Sequence, residues 1–205
     1  VWLKKNLIKN KLGIHSWMHY FDFEYKQKLI SPWHSGLAQG SGISLLLRAH
    51  QIDDQSGFLE CARLAFKSLE TQIEDGGTLF IDSDGDYWIE EYIVDSPTHI
   101  LNGFIWALFG VYDFWKFSEN KNAEKLFNKC VQTLVKNIDI YDVGYWSLYE
   151  QSETKLKMIA SLFYHKLHIV QLEILYYLTN EKIFKDTSVK WSKYMTPFNS
   201  KRALV

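Results

Sequence analysis

Apolar residues along the chain recur mainly with the spacing of α-helices, and they predict three pairs of consecutive helices. The first helix of each pair is apolar at most positions, whereas the second carries an apolar stripe beside charged positions. The predicted pairs are residues 35–51 with 58–72, 98–117 with 122–137, and 162–178 with 181–195. Alternation of buried and half-exposed helices is typical of a toroid of helical hairpins, in which outer helices surround inner ones.

Short strand-like segments lie between these helices. Residues 14–25 form an aromatic run with polar residues between the rings, and residues 78–82 and 87–92 flank an Asp-Gly turn that predicts a β-hairpin. A plain helical bundle would explain the helical periodicity but not these hairpins. The predicted fold class is therefore mainly α, an incomplete (α/α) toroid of helical hairpins with short β-hairpins between helices.

The same pattern predicts one main domain with two flanking parts. Residues 1–30 are interpreted as an N-terminal helix and aromatic strand, 31–196 as the toroid, and 197–205 as a C-terminal tail, because Pro197 is expected to stop the last helix. The chain opens with Val1 and has neither an initiator methionine nor a signal-peptide pattern, so we expect it to be a piece of something longer.

Composition narrows the possible functions. The net charge of −1 gives no global field that would favour nucleic acid or an anionic membrane. No run approaches the ~18 apolar residues that a membrane span needs. Cys61 and Cys130 lie far apart in predicted helices, so they are expected to be buried thiols without a disulfide. Aromatic residues reach 16%, which suits either a bulky core or sugar stacking.

Polar residues gather in the first turns of the three predicted inner helices, with spacings that place each set on one helical face. The sets are Ser35, Gln39 and Gly42 in the first helix, Thr98 and Asn102 in the second, and Tyr164, His168 and Gln171 in the third. If the inner helices run the same way, all three sets lie at one end of the toroid axis. Such a cluster is either an internal hydrogen-bond network or a ligand site.

Histidine spacing does not favour a metal site. His165 and His168 are three residues apart, and no HExxH motif or cysteine partner accompanies them or His99. The segment from Asp82 to Asp86 is similar to a calcium loop but lacks the distal glutamate, so a turn explains it better. Nucleophile elbows, Walker loops and dinucleotide fingerprints do not occur in the sequence. No metal and no cofactor are therefore expected.

The segment Trp88-Ile-Glu-Glu-Tyr92 combines carboxylates and a phenol with aromatic surface. This combination suits a sugar-processing site, because pyranose faces stack on rings while hydroxyl groups need fixed polar partners. In a regular strand Glu91 would face away from Tyr92. Both side chains can serve one site only if the strand ends or the chain bends at this point.

Four blocks of the sequence resemble the C-terminal domain of D-glucuronyl C5-epimerases, the enzymes that modify heparan sulfate and heparosan. Their order and spacing hold across roughly residues 30–195. The blocks are residues 35–49, Glu90-Glu-Tyr with 101–113, Tyr141-Asp-Val-Gly with Tyr149, and 164–172 running to Phe184 and Trp191. The resemblance implies that residues 1–30 are a remnant of, or a link to, a β-rich region outside this chain.

The resemblance also implies an activity and its residues. Glu91, Tyr92, Tyr149 and Tyr164 would be catalytic, removing the C5 proton of a D-glucuronate unit and returning it from the opposite face to give L-iduronate. The side chains interpreted as substrate-binding are Gln39, Asn102, His165, His168, Gln171 and Trp88. A catalytic tyrosine would need a lowered pKa, and our hypothesis is that His165 or His168 lowers it.

One departure from the family and two alternative functions stay open. Where the family has an Arg and a His after the second tyrosine, this chain has Glu150, Gln151 and Ser152. A polysaccharide lyase would abstract the same proton and then eliminate the 4-O-linked sugar, and a non-catalytic glycan-binding domain would keep only the fold. The implied partner is a uronate-containing polysaccharide, with a homodimer left open and neither nucleic acid nor membrane involved. The location would be cytoplasmic in a bacterium and the Golgi lumen in an animal-type pathway.

Overall fold

The computed structural model describes residues 2–54, 57–152, 154–155 and 157–203, and within them the chain is mainly helical. The helices are α1 (Trp2–Asn6), α2 (Gly36–Ile52), α3 (Phe58–Glu70), α4 (Leu101–Ser118), α5 (Lys121–Asn137), α6 (Leu162–Thr179), α7 (Lys182–Tyr194) and α8 (Pro197–Arg202). The strands are β1 (Leu7–Lys9), β2 (His15–Trp17), β3 (Phe23–Glu24), β4 (Lys28–Leu29), β5 (Leu79–Ile81) and β6 (Tyr87–Ile89). They form antiparallel pairs in chain order.

The three predicted helix pairs and the predicted hairpin are present, with ends that differ by a few residues. Ser35 caps α2, since its hydroxyl accepts a hydrogen bond from the backbone N–H of Ala38 at 3.1 Å. The Asp-Gly turn joins β5 to β6, and the carboxylate of Asp82 accepts the N–H groups of Asp84 and Asp86, both at 2.9 Å. This segment is a side-chain-stabilised turn, in agreement with the prediction.

Three predictions about element ends are wrong. Thr98 and His99 precede α4 instead of lying in its first turn, because His99 has a φ of 47°, outside the helical region. Pro197 begins α8 instead of following the last helix, since proline suits the first turn and Thr196 supplies the cap. The aromatic run 14–25 is two short strands in separate sheets instead of one.

The chain divides into two compact units. The first consists of Val1–Pro97 with Gly103–Val131, and the second of Thr98–Asn102 with Gln132–Val205. The strands β1 to β6 all belong to the first unit. Among the described residues, no helix has the length and apolar character that crossing a membrane requires.

The core of the first unit forms where α2, α3 and α4 meet. A Cβ atom built on Gly40 of α2 would lie 2.6 Å from the Cα atom of Ala107 in α4, so the two backbones approach closely because this residue has no side chain. The rings of Phe66 and Phe114 stack with centroids 4.4 Å apart and join α3 to α4. Cys61 and Cys130 are buried and free, as predicted, and burial raises the pKa of both thiols.

Gln39 fastens strand β2 to helix α2 inside the first unit. Its side-chain carbonyl accepts the backbone N–H of Trp17 at 2.9 Å, and its amide nitrogen donates to the Trp17 carbonyl at 3.1 Å. The amide nitrogen also donates to the Ser35 carbonyl at 3.2 Å. The side chain therefore takes the place of a neighbouring strand for a buried stretch of backbone.

The second unit is organised by a hairpin of α6 and α7 and by the loop that precedes α6. The carboxylate of Asp142 in this loop accepts hydrogen bonds from the indole N–H of Trp191 at 3.0 Å and the hydroxyl of Tyr194 at 3.1 Å. It also forms an ion pair with Lys190 at 2.8 Å. One carboxylate thus holds three residues of α7 against the loop.

Replacing Gln39 by leucine should lower the free energy of unfolding by about 2–4 kcal/mol, because the buried N–H and C=O of Trp17 would lose their partners. Urea denaturation measures the change. The control is Gln51→Leu in the same helix, where the side chain is exposed. Equal stability of the two variants would contradict the role given to Gln39.

Candidate active site

The extended conformation of strand β6 ends just before Glu91, the acidic residue that the sequence analysis assigns to the site. Strand β6 ends at Ile89, and Glu90 continues the pairing by one hydrogen bond, from its N–H to the Thr78 carbonyl at 2.9 Å. The carbonyl of Glu90 then accepts the N–H of Gly36 at the start of α2, also at 2.9 Å. Glu91 and Tyr92 follow in a bend, which confirms the expectation that the strand ends here.

Tyr92 follows Glu91 directly, and its phenol acts on the Glu91 carboxyl group as a hydrogen-bond donor that lowers the pKa of that group. The glutamate side chain is only 8% exposed, and its Oε2 atom has no hydrogen-bond partner among the residues the structure describes. Burial raises the pKa of Glu91 to about 7, with a smaller contribution from the charge of Glu90, while the bond from Tyr92 lowers it. Both the protonated and the ionised form of the carboxyl group are therefore populated near neutral pH.

The carboxyl group of Glu91 lies against the backbone of α4 at Gly103. A Cβ atom built on Gly103 would lie 2.7 Å from the Cβ of Glu91 and would overlap Oε2 of its carboxylate. Any larger residue at this position would displace the acid. This contact could not be predicted from the sequence, because a glycine in an apolar helix can equally well allow two helices to pack closely.

Aromatic rings surround Tyr92 in the first unit. Its ring centroid lies 4.7 Å from that of Tyr25, 5.3 Å from that of Phe23 and 5.8 Å from that of Trp33. These three rings are absent from the residues that the sequence assigns to a site. Their spacing along the aromatic run was a usable signal, since Phe23 and Tyr25 two residues apart project to the same side of an extended chain.

Two residues predicted to bind substrate are occupied by contacts inside the first unit. The ring of Trp88 is 2% exposed, its N–H donates to Asp82 at 3.0 Å, and its centroid lies 5.2 Å from that of Phe104. Both polar atoms of Gln39 are engaged as described above. Their assignment to substrate stays a prediction.

The second unit brings together two of the four predicted catalytic side chains. The ring centroids of Tyr149 and Tyr164 are 4.8 Å apart at a tilt of 55°, and both residues are partly exposed. Tyr164 lies in the first turn of α6, where its N–H donates to the capping hydroxyl of Ser161 at 3.3 Å. Tyr149 is held in the preceding loop by an N–H bond to the Met158 carbonyl at 2.8 Å.

Ser147 links the two buried histidines of α6. Its backbone N–H donates to Nδ1 of His165 at 3.2 Å, so that nitrogen is an acceptor and Nε2 donates to the Trp191 carbonyl at 3.1 Å. The Ser147 hydroxyl then donates to the same Nδ1 at 2.8 Å and accepts from Nδ1 of His168 at 3.0 Å. This network assigns the tautomers and leaves Nε2 of His168 as an acceptor.

Both imidazoles are neutral near pH 7. Burial lowers the pKa of His165, an effect that the Trp191 carbonyl and the charge of Asp142 partly oppose. Burial also lowers the pKa of His168 to about 3. Neither ring is therefore a cation near pH 7, because desolvation outweighs the interactions that favour a charge. The hypothesis that one of them lowers the pKa of a tyrosine as a neutral hydrogen-bond donor stays a prediction.

Four buried polar atoms of the second unit have no partner among the described residues. The amide nitrogen of Gln171 donates to the backbone carbonyl of Asn102 at 3.0 Å. The atoms without a partner are Oε1 of Gln171, Oδ1 of Asn102, Oγ1 of Thr98 and Nε2 of His168. Each can accept a hydrogen bond, so water or a ligand hydroxyl would satisfy them. The roles of Asn102, His165, His168 and Gln171 toward substrate stay predictions.

A buried acid follows Tyr149 directly in the chain. Glu150, next to Tyr149, is 1% exposed and accepts a hydrogen bond from the hydroxyl of Ser152 at 2.6 Å.

Within residues 2–54, 57–152, 154–155 and 157–203, no group of three or more histidine, cysteine, aspartate or glutamate side chains is arranged to hold a metal ion.

Comparison with known proteins identifies relatives over most of the chain. A family model described as D-glucuronyl C5-epimerase C-terminus matches residues 9–193. A D-glucuronyl C5-epimerase of Caenorhabditis elegans is 29% identical over 186 residues, covering 82% of this chain and 30% of the relative. An uncharacterized protein of Methanocaldococcus jannaschii is 29% identical over 178 residues, covering 85% of this chain and 56% of the relative. The chain thus spans less than two thirds of either relative.

A solved structure with a similar fold is that of cellobiose 2-epimerase from Spirochaeta thermophila. The TM-score is 0.55 at 12% sequence identity, and the likeness covers 77% of this chain and 42% of that chain. At this identity the likeness concerns the fold alone. Together with the helix pairs and short hairpins, it confirms the predicted fold class, mainly α with an incomplete (α/α) toroid.

The raised pKa of Glu91 makes a prediction about stability. A carboxyl group whose pKa is higher in the folded state than in the unfolded state adds to the free energy of unfolding while it is protonated. For Glu91 this contribution is complete below pH 4.5 and is lost as the pH rises toward about 7. The free energy of unfolding of Glu91→Gln minus that of the wild type should therefore increase over this interval by on the order of 3 kcal/mol, because each pKa unit corresponds to about 1.4 kcal/mol. Chemical denaturation between pH 4 and pH 8 measures it, and parallel curves would contradict the raised pKa.

Proposed function

The chain belongs to the D-glucuronyl C5-epimerase C-terminus family, and on that premise we propose that it inverts C5 of D-glucuronate units in a polysaccharide. The observation that carries the proposal is the buried carboxyl group of Glu91, which is bonded to a phenol and has a pKa of about 7. A group that both accepts and returns a proton at neutral pH is what the reaction needs.

The reaction proceeds in two proton transfers without oxidation or reduction. The base takes the proton from C5, and the electron pair of the C5–H bond moves into the adjacent carboxylate to give an enolate-like intermediate. A proton is then delivered to C5 from the opposite face, which converts the D-gluco to the L-ido configuration. Because the C5 proton is very weakly acidic, hydrogen-bond donors at the carboxylate oxygens are needed to stabilise the intermediate.

Glu91 suits one of these transfers. An ordinary surface glutamate is almost entirely ionised at pH 7 and a poor proton donor, whereas a pKa near 7 leaves both forms populated. Its Oε2 atom carries no competing hydrogen bond from described residues. The contact with Gly103 fixes where the carboxyl group can lie. We therefore infer that Glu91 is an acid–base group.

The family resemblance adds three phenols, Tyr92 beside Glu91 in the first unit and Tyr149 and Tyr164 in the second. We infer that tyrosine phenols carry the second proton and donate hydrogen bonds to the developing oxyanion. The substrate we propose is an unsulfated polymer of glucuronate and hexosamine, of the heparosan type. The names of the family and of the C. elegans relative support the D-glucuronyl unit of this substrate.

Replacing Glu91 by glutamine should reduce the incorporation of solvent deuterium at C5 of the polymer by at least about 100-fold, because general acid–base catalysis typically contributes that much. NMR of the polymer after incubation in D₂O measures the exchange. Tyr149→Phe and Tyr164→Phe are tested in the same way. The matched control is Tyr177→Phe in α6, whose ring is 75% exposed, and it should retain wild-type exchange.

Two results would overturn the proposal. An unsaturated product that absorbs ultraviolet light, formed in proportion to chain cleavage, would identify a lyase. Binding of the polymer without any deuterium incorporation, unchanged in Glu91→Gln and Tyr164→Phe, would identify a non-catalytic glycan-binding domain.

The Tyr92–Glu91 hydrogen bond predicts how the pH dependence responds to mutation. If Glu91 must be ionised to take the C5 proton, the exchange rate rises with pH through about 7. Tyr92→Phe removes a bond that lowers this pKa, so the rising limb should move to higher pH. The exchange rate measured between pH 5 and pH 9 tests this, and a limb that stays in place or moves to lower pH would refute it.

A further inference from the structure

Tyr92 belongs to a group of rings whose other members the catalytic proposal does not use. We define the ring cluster as Phe21, Phe23, Tyr25, Trp33 and Tyr92. Trp33 is its centre, with centroid distances of 5.5 Å to Phe21, 6.1 Å to Phe23 and 5.8 Å to Tyr92. Phe23 and Trp33 are close to parallel, with planes 25° apart.

Backbone contacts hold the ring cluster in place. Phe23 lies in the β3–β4 hairpin. Gln27 in the turn of this hairpin accepts the N–H of Asp95 at 3.0 Å and donates to the Asp95 carbonyl at 3.1 Å. Trp33 exchanges two backbone hydrogen bonds with His19, at 2.7 and 3.2 Å. Positions set by the backbone give the rings a fixed arrangement before any ligand arrives.

The rings of the cluster are accessible to solvent, unlike the core rings of the same unit. Phe21 is 52% exposed, and the other members are partly exposed. Trp88 and Phe66, by comparison, are each 2% exposed. Neighbouring exposed rings are costly in water and mark a binding surface more often than a packing defect.

We propose that the ring cluster is a stacking subsite for a pyranose ring of the polysaccharide, adjacent to the unit whose C5 proton is removed. The proposal rests on the proposed function for the identity of the polymer. Its position follows from Tyr92, which contacts three members of the cluster and is the residue directly after Glu91. The cluster is therefore continuous with the acid–base group.

The chemistry of the cluster suits a sugar of the D-gluco series. Such a ring carries its substituents equatorially, so each face presents axial C–H bonds that pack on aromatic surfaces, while the hydroxyl groups stay at the rim in water. An iduronate ring places substituents axially and packs less well. The cluster should therefore bind a D-gluco sugar that flanks the reacting uronate, and it accounts for recognition of a polymer instead of a single sugar.

Trp33→Leu removes the ring at the centre of the cluster and keeps apolar bulk. Its dissociation constant for an unsulfated glucuronate–hexosamine polymer should rise by about tenfold, as expected for the loss of one stacked ring. Phe21→Ala should raise it several-fold and leave the fold intact, because this ring is exposed. Neither change should alter the binding of methyl glucuronide, which has no flanking sugar. Calorimetric titration of the full chain measures all of these, with thermal unfolding to verify the fold.

The control is Trp106→Leu in α4, whose ring is 38% exposed and contacts Phe109 outside the cluster. It should bind the polymer like the wild type. Wild-type polymer affinity in both Trp33→Leu and Phe21→Ala would overturn the subsite. So would an equal loss of affinity for the polymer and for methyl glucuronide.

Deuterium exchange at C5, recorded on the same samples, separates this proposal from the proposed function. Exchange in the wild type with unchanged affinity in the cluster variants would overturn the subsite and leave the epimerase. Polymer affinity that depends on Trp33, without exchange in any variant, would uphold the subsite and overturn the epimerase.

Discussion

The burial of one carboxyl group is the constraint on which the candidate site depends. Removing a carboxylate from water costs free energy, and the hydrogen bond from Tyr92 offsets only part of that cost. Several features of the first unit hold the acid in this costly position. Strand β6 ends just before Glu90, the carbonyl of Glu90 bonds to the start of α2, and Gly103 leaves room on α4. Such a group titrates near neutral pH because burial disfavours its ionised form.

In the second unit, by contrast, the buried histidines are uncharged and hydrogen-bonded. His165 and His168 are buried as neutral rings, and Ser147 satisfies one nitrogen of each. A neutral hydrogen-bond network costs little and gives a fixed geometry to the loop that carries Tyr149. Buried titratable side chains therefore differ between the two units: a carboxyl group with a pKa near neutrality in one, and neutral imidazoles in a hydrogen-bond network in the other. Composition alone does not distinguish them.

The helices and the chemistry of the main motif could be predicted from the sequence, because both depend on local spacing. Helical periodicity locates the three pairs, and side-chain alternation alone requires a strand end between Ile89 and Tyr92. The start of α4 differs from the prediction because the positive φ of His99 leaves no mark in a run of apolar residues. The role of Pro197 differs because proline occurs both at the first turn of a helix and beyond its end. The ring cluster depends on contacts between Trp33 and residues distant in the chain. Such contacts cannot be predicted from the pattern of residues in a short segment.

The contact between Gly103 and Glu91 has a use beyond this molecule. In any chain of this fold that carries alanine or a larger residue at the position of Gly103, the acid cannot occupy the same place, even if the Glu-Glu-Tyr motif is intact. A search of genome sequences for chains with the same buried acid can therefore examine the position of Gly103 in α4, which lies outside the motif. Chains with the motif but without the glycine would be the first candidates for relatives that bind a glycan and leave it unchanged.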